Sequence, residues 1–88
     1  MKKREKAVAL QYDEKKQGAP SVTAKGEGLV AQRIVELAKE ADVPVVEDAA
    51  LVSALLSLEL GQEIPVELYQ AVARILSWVY RLDRGDSA

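Results

Sequence analysis

SVTAKGEGLVAQRIVELAKEADVPVVE, residues 21–47, changes its hydrophobic period twice. Val22 and Ala24 alternate with Ser21, Thr23 and Lys25, the period of two expected of a half-buried strand over 21–25. Pro20 stands at its start, where a missing N–H costs least. Gly26 and Gly28 then bracket Glu27 and break the strand. Beyond them Val30, Ile34, Leu37 and Ala41 recur at i, i+4, i+7 and i+11. With Gln32, Arg33, Glu36, Lys39 and Glu40 as the wet face, this is an amphipathic helix over 28–42. Pro44 disfavours helical geometry at Val43 and stops it near Asp42. Val45-Val46 open a very short third strand, 44–47. Strand, helix and strand in that order form a right-handed crossover, which makes the second and third strands parallel.

Upstream, AVALQY reads as a strand over 7–12, followed by the polar stretch from Asp13 to Gly18. It pairs with 21–25 as a long-looped hairpin. Downstream, Asp48 is placed to cap a helix over 49–60 whose apolar residues include Leu51, Val52, Leu55, Leu56 and Leu58, with Gly61 as its stop. Pro65 suits the first position of a last helix, and Glu67 its first turn. Leu68, Val72, Leu76 and Val79 keep a helical stripe, and Arg81 and Arg84 lie near the far end, so this helix is expected over 65–82. The expected fold is α/β: a small mixed sheet of about three strands (7–12, 21–25, 44–47) flanked by three helices (28–42, 49–60, 65–82). Residues 1–6 read as a flexible basic leader, 7–82 as the domain and 83–88 as a disordered tail.

The chain has 88 residues, room for one domain. Cysteine and histidine are absent, which removes disulfides, thiolate metal sites, the common zinc sets and Ser-His or Cys-His catalytic pairs. Charge is uneven. Residues 1–16 hold six cations against three anions, whereas residues 36–68 hold eight anions against Lys39 alone. That acidic middle argues against nucleic acid as a partner. The apolar run after the basic start is only Ala7 to Leu10, too short for a signal core, and no run approaches a transmembrane length. A cytoplasmic location is expected, with no direct membrane insertion.

Three motifs have chemical readings. Gly26-Glu27-Gly28 before a helix resembles a phosphate cradle; the plainer account is a pair of turn glycines. Glu47-Asp48 puts two carboxylates at a strand end, a place where active sites occur, but Asp48 already serves as a cap. Trp78 and Tyr80 are core or rim residues, with partner contact as the sharper alternative. No nucleophile–base pair, metal set or cofactor motif is visible, so the chain is not expected to be an enzyme.

Taken together, several segments point further. They are AVALQYD (7–13), Ala19-Pro20, AKG (24–26), Arg33-Ile34, VPVVE (43–47), Leu51, Ala54-Leu55, Gly61, EIP (63–65), Leu68-Tyr69, AVA (71–73) and Trp78-Val79. In this order and at these distances the chain resembles the carboxy-terminal cytoplasmic domain of the FlhB family. These are export-gate switch proteins of flagella, shared with virulence type III secretion systems. The resemblance spans about residues 7–82. Family members carry four transmembrane helices before this domain and an Asn-Pro-Thr-His motif just before the first strand, where the chain breaks itself. The matching places here are Lys2, Lys3, Arg4 and Glu5. The family's cleavage needs the Asn side-chain amide to attack its own backbone carbonyl, and Lys2 has no such amide.

The resemblance therefore implies a free-standing counterpart of the released half, acting by contact rather than catalysis. Implied partners are the membrane-embedded export-gate protein, export substrates and the hook-length control protein, with a location at the inner face of the membrane. Its substrate patch falls on Ala19, Pro20, Ala73 and Leu76. In the family an upstream strand completes the sheet, so a vacant edge is expected along Ala7, Val8, Ala9 and Leu10. That edge would take the stub of a gate protein, or a second copy in a homodimer. Two other readings stay open: a cytoplasmic regulator or competitor of export not joined to the gate, and a small-molecule or phosphate binder using residues 26–28.

Overall fold

A computed structural model describes residues 5–12, 19–72 and 77–82. Its elements run β1 (Lys6–Gln11), β2 (Ser21–Glu27), α1 (Leu29–Glu40), β3 (Val45–Glu47), α2 (Ala49–Leu56), α3 (Val66–Val72) and β4 (Ser77–Leu82). The α/β class, the first three strands and the first two helices stand as expected, within a few residues at their ends. Glu5 and Lys6 depart from the leader expected of them. Lys6 pairs with Glu27 and Leu82, and the Glu5 carbonyl accepts from Gly28 N–H at 2.7 Å.

The sheet has four strands in the order β2-β1-β4-β3, antiparallel except for the β3–β4 pair. The fourth strand corrects the expected last helix: among the described residues α3 covers Val66–Val72, and Ser77–Leu82 is β4. Trp78, Tyr80 and Leu82 alternate with Val79 and Arg81, so this segment satisfies the strand period as well as the helical one. Pairing decides between them. Beside β1 six residues of β4 find partners, and beside β3 three more contacts form. β2 and β3 do point the same way, but β1 and β4 lie between them.

The vacant edge is corrected for the same reason. Ala7 to Leu10 pair with β2 on one side and β4 on the other, so β1 is an interior strand. The flanking strands are β2 and β3. Part of the β2 flank is covered by residues 61–64, through Val22 N–H to Gln62 O at 3.0 Å, Gly61 N–H to Val22 O at 2.7 Å and Ile64 N–H to Pro20 O at 2.9 Å. Gly61 takes part in this turn at φ 83°, while α2 has already ended at Leu56.

Because neighbours in a strand face opposite ways, the sheet divides two cores. One holds Val8, Leu10, Val22, Trp78, Tyr80 and Leu82 against Leu51, Val52 and Leu55 of α2 and Val72 of α3. The other sets Ala7 and Val79 against Ala31, Val35 and Ala38 of α1. Asp48 caps α2 as expected, its Oδ1 accepting from Leu51 N–H at 3.0 Å. At the far end of α2 the Lys25 ammonium donates to the carbonyls of Leu56 and Leu58. α1 ends at Glu40, four residues before Pro44. Asp42 takes φ 60°, and the N–H groups of Val43 and Asp42 return to Ala38 O and Lys39 O, a left-handed cap that satisfies the last carbonyls.

A candidate partner-binding groove

The face of α1 that meets the sheet is not the stripe expected of it. Ala31, Val35 and Ala38 are buried, whereas Val30 is 55% exposed and Leu37 47%. The period is the one read from sequence; its phase is shifted by one residue, roughly 100°. The cause lies in the sheet. Its large side chains face α2, and the α1 side offers Ala7, Ala9, Ala24, Gly26 and Val79. Small residues on both surfaces let the helix settle close. At Gly26 a Cβ would run into the Val30 side chain, so this glycine is needed for the approach of α1.

With its smaller face inward, α1 leaves larger apolar groups at the rim. Between its second half and the sheet lies a groove of about 340 Å³. Ala9, Ala24 and Val79 contribute from the sheet, Ile34, Leu37 and Ala38 from α1, and Val43 from the connection to β3. Gln11 and Thr23 bring polar atoms, and Thr23 Oγ1 donates to Ala9 O at 3.2 Å where the β1–β2 register shifts. Such a lining has the apolar character that receives a side chain of an extended segment. Leu29 and Val30 extend exposed apolar surface toward the start of the same helix.

The residues singled out from sequence are distributed otherwise. Ala19 is half-buried against the α2-side core and Pro20 is buried, its carbonyl held by Ile64 N–H. Ala73 and Leu76, the other two residues of the implied patch, lie outside the described residues. Of the edge residues, Ala7, Val8 and Leu10 are buried and Ala9 lines the groove. Glu47 and Asp48 separate in role: Asp48 caps α2, and Glu47 Oε2 accepts from Arg81 Nη2 at 2.7 Å and Nε at 3.2 Å. Arg81 Nη1 also reaches Glu5 Oε2 at 3.3 Å. The Gly26–Gly28 turn is structural. The Gly28 N–H that a phosphate would need already donates to Glu5 O, and its φ of 64° suits glycine. Among the described residues no cluster of three or more acidic side chains could hold a metal ion, and no helix is long and apolar enough to cross a membrane.

Tyr80 and Trp78 are core residues on the α2 side, their rings 5.2 Å apart and tilted. The Tyr80 hydroxyl donates to Val72 O at 3.4 Å. Burial, with the Asp48 charge adding to it, pushes its pKa well above the usual phenol range. The groove itself was missed by sequence reasoning. Its one signal was the run of small residues in β1, β2 and α1, which allows a helix to lie close with its larger residues outside.

Comparison with known proteins follows the same pattern. A family model described as the FlhB HrpN YscU SpaS Family matches residues 4–79. The flagellar biosynthetic protein FlhB of Escherichia coli (strain K12) is 54% identical over 79 residues, covering 89% of this chain and 21% of that protein. FlhB of Bacillus subtilis (strain 168) is 43% identical over 76 residues, again 21% of its length. YlqH of the same organism is 50% identical over 80 residues, 91% of this chain and 86% of that protein. The chain thus spans about a fifth of the FlhB relatives and most of a short one.

Proposed function

Since the chain belongs to the FlhB HrpN YscU SpaS family, we propose that it is a non-enzymatic binding module of the flagellar or type III protein export apparatus. It corresponds to the carboxy-terminal part of the switch protein, docks on the membrane-embedded gate from the cytoplasmic side, and engages export substrates or the hook-length control protein. The observation that carries this reading is 54% identity running through 89% of the chain, the strands and helices around the groove included. The groove supplies the physical means. An apolar side chain of an extended substrate segment enters between Leu37 and the alanines of β1 and β2. The family resemblance implies a separate patch at Ala19, Pro20, Ala73 and Leu76, which is proposed as a second contact for substrates.

A second reading is favoured by the high coverage of YlqH, a relative of similar size. In it the chain binds export proteins without joining the gate. One experiment addresses both. Tagged chain is incubated with membranes containing an FlhB-type gate and, separately, with purified export substrates. Gate and substrate capture supports the first reading; substrate capture without gate supports the second; capture of neither contradicts both. Leu37→Asp changes a residue already in contact with water and is expected to lower substrate affinity at least ~10-fold while gate capture persists. Ala73→Asp tests the implied patch in the same assay.

A further inference from the structure

We propose that Thr23, with the break in strand register around it, sets what the groove accepts: a neutral, extended peptide segment whose aliphatic side chains stand two residues apart. This selectivity rests on the reading of the groove as a peptide contact for export substrates, and gives that contact a pattern. Along β1 and β2, Ala9 faces Ala24, yet the next residue of β1, Leu10, faces Val22. Thr23 is the extra residue of this bulge and has no partner in β1. An unbroken strand would send Val22 and Ala24 to the same face. The bulge sends them to opposite faces: Val22 joins the core under α2, and Ala24 lines the groove under α1. Lys25 follows the same flip and reaches the carbonyls of Leu56 and Leu58 at the end of α2.

The bulge also leaves a polar atom beside an apolar floor. Thr23 is exposed, lines the groove and donates its hydroxyl proton to Ala9 O at 3.2 Å. That proton is committed, but the oxygen keeps lone pairs that can accept from an N–H of an occupant. Gln11, at the end of β1, adds a side-chain amide to the same lining. None of the residues lining the groove is charged, although 30% of the chain is. A charged side chain entering there gives up its water and meets no counter-ion in the lining. The complementary occupant is therefore neutral, with a backbone N–H at Thr23 and apolar side chains on the floor.

Size sets the number of those side chains. An apolar cavity of about 150 Å³ is enough to hold a benzene. The groove has about 340 Å³, room for two aliphatic side chains. In an extended segment, residues i and i+2 point to the same face, ~6.6 Å apart, and the peptide groups between them stay open to hydrogen bonds. Adjacent residues point to opposite faces, so only one of such a pair enters. The groove thus separates an alternating segment from one of the same composition whose aliphatic residues stand side by side.

The probes are two end-blocked five-residue peptides of serine and leucine. One carries leucine at its second and fourth places, the other at its second and third. Amide NMR titration of the labelled, unaltered chain gives both affinities. The alternating peptide is expected to shift Ala9, Thr23, Ala24 and Leu37 and to bind at least ~10-fold more tightly than the adjacent one, the worth of a second buried aliphatic side chain. Thr23→Val keeps the side-chain shape and removes the hydroxyl. It is expected to weaken the alternating peptide ~3–10-fold, the worth of one hydrogen bond, and Thr23→Ser to restore it. A merely structural role for Thr23 predicts instead a lower melting temperature with peptide affinity unchanged, which overturns the proposal. On the unaltered chain alone, equal affinity for the two peptides, no binding of the alternating one, or shifts away from the groove also overturn it. No export protein enters this test. Peptide selectivity without capture of gate or substrate leaves the pattern standing while the export role falls; substrate capture without peptide selectivity does the reverse.

Discussion

Gly26 and Gly28 sit two residues apart and answer to different constraints. At Gly26 the limit is space: an added methyl meets the Val30 side chain. At Gly28 nothing lies within 4 Å of an added Cβ, and the limit is the backbone at φ 64°. Gly26→Ala is therefore expected to cost about 1–3 kcal/mol through displacement of α1 from the sheet. Gly28→Ala is expected to cost about 1–2 kcal/mol through backbone strain. Urea unfolding measures both, and Val30→Ala, which removes the nearer Cγ1 but keeps the Cβ, should recover only part of the first cost while leaving the second unchanged. Tyr80 gives a pH dependence. Its folded-state pKa is raised by burial first and by Asp48 second. The stability it contributes is complete below the unfolded phenol value of about 10 and falls as pH rises above it, because only the unfolded chain ionises readily. Unfolding free energy is expected to drop more steeply between pH 9.5 and 11 than in Tyr80→Phe, where that component is missing; equal slopes would contradict the assignment.

At the scale of elements, α1 and β4 show where sequence reading reaches and where it stops. The period of α1, its end before Pro44, the Asp48 cap and the first two strands were legible, because each rests on neighbours a few residues away. The phase of α1 was not. Two stripes of the same period, Val30–Ile34–Leu37–Ala41 and Ala31–Val35–Ala38, lie side by side, and hydrophobicity favours the first. What buries the second is the shape of a surface made by β1, β2 and β4, which no window within α1 contains. β4 failed for the same kind of reason: its helical and strand periods both hold locally, and the choice comes from β1, some seventy residues earlier. The candidate site inherits both limits, since the groove exists because of the α1 phase and β4 contributes Val79 to it. These assignments predict an inversion of the usual hydrophobic ranking. Leu37→Glu is expected to change stability by under ~1 kcal/mol, whereas Val35→Ala, a smaller change at a buried site, is expected to cost more, about 1–2 kcal/mol. Thermal denaturation of the two variants decides the phase. Asp48→Ala is expected to cost about 1 kcal/mol through the lost cap of α2, measured the same way.

For the molecule as a whole, the two faces of the sheet differ in kind. The α2 side is a core of large side chains, Tyr80, Leu55 and Val52 among them, and it carries the stability of a small domain. The α1 side is a thin layer of alanines and valines under a helix whose larger apolar residues face out. That division leaves apolar side chains of α1 exposed without emptying the larger of the two described cores. On the reading proposed above, discrimination would rest on which side chain fits the groove, a role that calls for no catalytic set. The most direct measurement is an amide NMR titration of the isotopically labelled chain with an unlabelled export substrate. The account predicts shifts that saturate and centre on Ala9, Thr23, Ala24, Ile34 and Leu37, and that vanish in Leu37→Asp. A substrate that binds with those amides unmoved, or that binds Leu37→Asp as well as the parent chain, would contradict it.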